Sequence, residues 1–166
     1  DSFPNEVNER IKCLSLMPKS TVTWPYILKL LYEFRQRNVS TKQVCKCLRI
    51  VESFLVRRGI VGLEPTGLHA VFKSLWTKAG ADEIKLKSKI ITTTIRCPGN
   101  DVLKATLKTE NMYSRHITKY LLIQQELLSN KSKGYDNAIG SYTTEHVLPQ
   151  SLNGQWGIDF TNQEHK

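Results

Sequence analysis

Residues 40–59 read STKQVCKCLRIVESFLVRRG, and this stretch decides the fold. Ser40, three residues before Gln43, has the form of a capping box, in which the two residues satisfy each other's free backbone N–H groups. Behind it Val44, Leu48, Val51 and Leu55 fall at the spacing that puts apolar side chains on one helical face. Arg57 and Arg58 lie in the last turn, where cations suit the helix dipole, and Gly59 supplies the stop. The reading is a long helix with one buried seam, and such a seam needs other helices to cover it.

Those helices are legible on both sides. Upstream, Val7, Ile11 and Leu14, with Cys13 beside them, follow Pro4 at helical spacing. Thr23 with Pro25 in the first turn opens another helix, whose apolar stripe is Ile27, Leu30, Leu31 and Phe34. Downstream, Pro65 and Thr66 start a helix with Leu68, Val71, Phe72, Leu75 and Trp76 inward and Gly80 at its end. Between residues 82 and 95, Ile84, Ile90, Ile91 and Ile95 fit a helix, weakened by the run Thr92-Thr93-Thr94. Val102, Leu103 and Leu107 mark a short helix after the turn Cys97-Pro98-Gly99-Asn100. Ile117, Tyr120, Leu121, Gln124 and Leu128 form the last helical stripe, and residues 129–134 read as a loop. The register changes at Tyr142, where Tyr142-Thr143-Thr144-Glu145-His146-Val147-Leu148 reads as a short extended segment stopped by Pro149. The expected fold is mainly α, a multi-helix bundle with a short strand-like segment near the C-terminus.

Composition agrees with a folded chain. Of 166 residues 40% are hydrophobic and 23% charged, with 9 Gly and 6 Pro, which excludes disorder and collagen-like repeats. Lys and Arg number 24 against 15 Asp and Glu, for a formal charge of +9. That surplus favours nucleic acid or another polyanion as partner. Between residues 21 and 60, eight basic residues stand against only Glu33 and Glu52. Lys42, Lys46 and Arg49 share one helical face there, as a phosphate-tracking surface requires, although a solvated helix face has the same pattern. The aromatics Trp24, Phe34, Phe54, Phe72 and Trp76 lie on apolar stripes and read as core. No stretch approaches the roughly 18–20 apolar residues that span a bilayer, so no membrane partner is expected. The opening residues carry no apolar signal core, and the chain, without an initiating Met, reads as an internal piece of a longer protein. Cys13, Cys45, Cys47 and Cys97 complete no zinc-ligand spacing, and Cys45 and Cys47 point apart on a helix. They read as free, partly buried thiols in a reducing cytoplasm.

The chemistry-bearing stretch is residues 142–152, YTTEHVLPQSL. On a strand Glu145 and His146 point to opposite faces. At a strand end both can still serve one metal-and-phosphate site, one binding the ion and the other positioning water. Phosphodiester hydrolysis needs those parts: a divalent cation on the phosphate, and a neutral imidazole to take a proton from water. His69, His116 and His165 have no partner spacing that points to ligation.

Glu145-His146-Val147-Leu148-Pro149-Gln150 resembles the opening of the HNH, or ββα-metal, nuclease motif. With residues 51–58, residues 68–75 and Lys119-Tyr120-Leu121-Leu122 upstream, the chain from about Tyr26 to Trp156 resembles the GmrSD-type, modification-dependent (type IV) restriction proteins. In these a nucleotide-hydrolysing, ParB-like domain precedes helices and an HNH nuclease domain. The resemblance implies that His146 is the general base and that Glu145 binds a divalent metal, Mg²⁺ or Mn²⁺. It implies duplex DNA, modified and foreign, as the substrate of the parent protein, and a nucleotide bound only by a domain outside this chain. Trp156 matches an aromatic that follows the motif. The family's Gly-Asn-Leu-like segment, a further Asn or His and the closing helix have no counterpart before Lys166. The resulting division is a helical bundle over residues 1–140, linking the nucleotide domain to the nuclease, and a truncated start of the HNH domain over residues 141–166. The alternative is a non-catalytic helical scaffold, a DNA-binding or interdomain signalling module.

Overall fold

A computed structural model describes residues 3–92, 97–129, 151–159 and 161. They are organised as helices joined by short turns, with no strand among the described residues. The chain divides into two compact units, Asp1–Ser129 and Asn130–Lys166. The strand-like segment expected over residues 142–148, residues 130–134 of the loop expected over 129–134 and the domain boundary expected at 140/141 lie outside the described residues, while Ser129 ends a helix instead of opening that loop.

In the first unit α1 spans Asn5–Leu16, followed by a 3₁₀ turn at Ser20–Thr23 and α2 at Trp24–Arg35. The central helix α3 runs over Thr41–Val61, α4 over Leu68–Ala79, and α5 over Glu83–Thr92. α6 covers Asn100–Thr109 and α7 covers Thr118–Ser129. α3 starts as its sequence dictates. Gln43 N–H donates to Ser40 Oγ at 3.3 Å, and Ser40 N–H donates to Gln43 Oε1 at 3.0 Å. Val44, Leu48, Val51 and Leu55 are buried, as are Cys47 and Phe54 beside them. α3 packs against α1, α2, α5 and α6, while α4 packs against α2 and α5. Phe54 and Phe72 meet edge to face at 6.1 Å between ring centres, which locks α3 to α4 through the core.

Buried polar groups tie the turns to this core. Tyr26 Oη donates to Gly80 O at 2.8 Å, and Cys47 Sγ approaches Ala81 O at 3.6 Å. α2 and α3 thereby hold both sides of the α4–α5 turn, and burial pushes the Tyr26 and Cys47 ionisations upward. Glu52 joins three helices. It accepts from Tyr120 Oη of α7 at 2.5 Å and pairs with Arg10 of α1 at 3.5 Å.

Several sequence expectations are corrected in detail. α3 does not stop at Gly59 but continues to Val61, and Gly62 closes it at φ +75°, a conformation that favours glycine. Gly59 has a different reason to lack a side chain: a Cβ there would lie 2.9 Å from Ile117 Cβ and Cγ1. Arg58 lies in the last turn as expected and is buried there, and its guanidinium donates to Glu64 O while lying over the Phe54 ring. α4 begins at Leu68, after Gly67, rather than at Pro65. In α5 the inward residues are Leu86 and Ile90, whereas Ile84 and Ile91 are exposed. Leu107 and Leu128 are exposed as well. Trp24, Phe34 and Trp76 are half-buried at the edge of the core rather than inside it.

In the second unit the described residues form one short helix, α8, over Gln155–Asp159. Gly154 precedes it at φ +58°, and Gln155 Nε2 donates to Asp159 Oδ1 at 3.0 Å. Trp156 is 42% exposed. Among the described residues no helix is long and apolar enough to cross a membrane.

Candidate nucleic-acid interface

α3 presents Lys42, Lys46 and Arg49 on its exposed side because its other side is committed to the buried seam. The three differ in their surroundings. Lys46 and Arg49 line a groove of about 770 Å³ between α3, α5 and the segment 97–100. Lys42 lies outside that lining, at the first turn of α3. Arg57 and Lys87 complete the basic part of the groove, and Phe54 and Ile90 form part of its apolar floor.

Each cation is held differently. Lys46 Nζ lies 2.5 Å from Glu83 Oε2, and Lys87 Nζ lies 2.8 Å from Glu83 Oε1. The two ammonium groups hold the Glu83 carboxyl well below the usual carboxylate range, at about 2. Arg57 spans the end of the groove, donating from Nη1 to Pro98 O at 3.0 Å and from Nη2 to Asn100 Oδ1 at 2.8 Å. This fixes the start of α6 against α3. Arg49 makes no hydrogen bond or ion pair among the described residues.

Sequence reasoning found Lys46 and Arg49 but missed Arg57, Lys87 and Glu83 as parts of the same groove. Lys87 stands between Lys85 and Lys89, and nothing in that alternation tells which lysine faces α3. The i, i+4 spacing of Glu83 and Lys87 is the one local signal of the pair.

The residues assigned to nuclease chemistry, Glu145 and His146, lie outside the described residues. Among the described residues no group of three or more His, Cys, Asp or Glu side chains could hold a metal ion. Cys13, Cys45, Cys47 and Cys97 are free thiols, Cys47 buried and the others half-buried, and burial pushes all four upward in pKa. His69 and His116 are exposed.

A second, smaller cavity of about 260 Å³ opens beside the end of α3, lined by Arg58, Gly62, Glu64, Arg115 and His116 among others. Its arginines act within the fold. Arg58 holds the Glu64 carbonyl, and Arg115 pairs with Glu110 at 3.3 Å. Comparison with protein-family models, with curated proteins and with solved structures finds no match to this chain.

Proposed function

We propose that this chain belongs to a modification-dependent DNA restriction endonuclease with metal-dependent HNH phosphodiester hydrolysis. The observation that carries the reading is the string Glu145-His146-Val147-Leu148-Pro149-Gln150. The basic groove on α3 and the formal charge of +9 support duplex DNA as the partner. In this reading His146 takes a proton from the attacking water, and Glu145 contributes to holding Mg²⁺ or Mn²⁺ on the scissile phosphate. One carboxylate holds a hydrated cation such as Mg²⁺ weakly, because these sites draw on further oxygens from protein or phosphate. The remaining ligands therefore come from a longer protein, as does the nucleotide-hydrolysing domain. The helical unit links the two and contacts the duplex, in a reducing cytoplasm where the four thiols stay free.

The test is plasmid nicking with Mg²⁺ or Mn²⁺ by three samples: this chain, the longer protein carrying the rest of the motif, and that protein with His146→Ala. The longer protein should cut, while the His146→Ala variant and this chain alone should leave the plasmid intact. Cleavage by the variant would overturn the role given to His146. A second reading, a non-catalytic scaffold or signalling module, draws on the compact unit that Asp1–Ser129 forms by itself. Absence of cutting by the longer protein with either metal would favour it.

A further inference from the structure

At the lip of the α3–α5 groove, two ammonium groups from different helices converge on one carboxylate. Lys46 approaches one oxygen of Glu83 and Lys87 the other. All three side chains are partly exposed, Lys46 and Lys87 by 46% and 55% and Glu83 by 32%. One turn beyond Lys46, Arg49 lines the same groove with no hydrogen bond or ion pair among the described residues. Two cations gripping separate oxygens of one anion is the arrangement that also fits a phosphodiester, whose two free oxygens carry the charge.

We infer that the Lys46–Lys87 pair is a clamp for a DNA backbone phosphate, which displaces the Glu83 carboxylate that holds the clamp in the free protein, with Arg49 taking a neighbouring phosphate. The inference rests on the duplex-DNA reading above and adds the site to it. Its energetics follow from exposure. Water screens an ion pair between partly exposed side chains, so a competing anion can displace Glu83 from it. A phosphate brings the release of its condensed counterions, which drives binding at low salt. Glu83 meanwhile keeps two flexible lysine side chains ordered at the place where the phosphate arrives, which reduces the entropy lost on binding. Because its carboxyl is held near 2, Glu83 stays ionised at neutral pH. Exchange is then a competition between two anions for the same cations. An acidic protein segment would enter the same competition, but the local excess of Lys and Arg around α3 and α5 favours the denser charge of a duplex.

Removing Glu83 should strengthen binding, because both ammonium groups are then free and a like charge no longer faces the duplex. The full chain is titrated against a short fluorescein-labelled duplex by anisotropy over a series of salt concentrations. Glu83→Gln, with Glu83→Ala as a second variant, should tighten binding about two- to fivefold at low salt and steepen the salt dependence. Lys87→Glu and Arg49→Glu should weaken binding and lower the slope by about one unit each. Lys73→Glu, on α4 outside the groove lining, should change it less. Circular dichroism of each variant establishes that the helices persist. Binding by the wild type that neither Glu83 variant strengthens overturns the clamp while leaving DNA as partner. Binding damaged as much by Lys73→Glu as by Lys87→Glu does the same. No binding by any form removes duplex DNA as the partner of this chain and the clamp with it. Polyglutamate bound as tightly as the duplex, with the same gain in Glu83→Gln, transfers the groove to an acidic protein segment.

Discussion

Gly59 reads as a helix stop in the sequence and serves a different purpose in the structure. Placed after Arg57 and Arg58, a glycine signals a helix end, and the true end comes three residues later at Gly62. What Gly59 provides is room for Ile117, whose side chain lies where a Cβ would go. That contact joins positions far apart in the chain, and no local pattern announces it. Gly59→Ala should therefore destabilise the protein, by about 1–3 kcal/mol for overpacking a dense site, even though alanine is the better helix former. Urea denaturation would measure it, and a variant as stable as the wild type would mean that Ile117 yields without cost. Arg58 teaches the same lesson. Its position in the last turn explains a cation there but not its burial, which tertiary packing over Phe54 and the bond to the Glu64 carbonyl supply.

Helices whose apolar residues keep one register are the elements most legible in the sequence. α3 carries both a cap and a seam, and each takes its expected place. Leu48 is fully buried at the middle of that seam. Leu48→Ala should cost roughly 2–5 kcal/mol, read as a lowered denaturation midpoint with an unchanged slope. An effect within error would place the seam at the surface. α5 is where periodicity misleads. Of the isoleucines that fit it to a helix, Ile90 is buried while Ile84 and Ile91 are exposed, and Leu86, four residues before Ile90, completes the side that the core accepts. The groove inherits the same limit. Lys46 and Arg49 are legible because the seam of α3 fixes which way they face. Lys87 and Glu83 become part of the groove only once α5 has been docked on α3, and docking is decided by packing rather than by sequence neighbours.

Across the whole molecule, the division into Asp1–Ser129 and Asn130–Lys166 places the helices with buried residues in the first unit and α8, with none, in the second. The duplex contact proposed for α3 and α5 and the acid–base chemistry proposed for Glu145 and His146 thus fall in different parts of the chain. Within the first unit the central position of α3 has a kinetic meaning. Its neighbours arrive from both directions, α1 and α2 before it and α5 and α6 after it. Opening the middle of α3 to solvent requires separating most of those neighbours at once, whereas α6, which buries no residue completely, can loosen by itself. Amide protons around Leu48, Val51 and Leu55 should accordingly be the last to exchange with deuterium, with a free energy of opening that matches global unfolding, while those of α6 exchange through local fraying. Equal protection of α3 and α6 would instead make the unit a single cooperative block, in which no part could relax around a bound ligand without unfolding the rest.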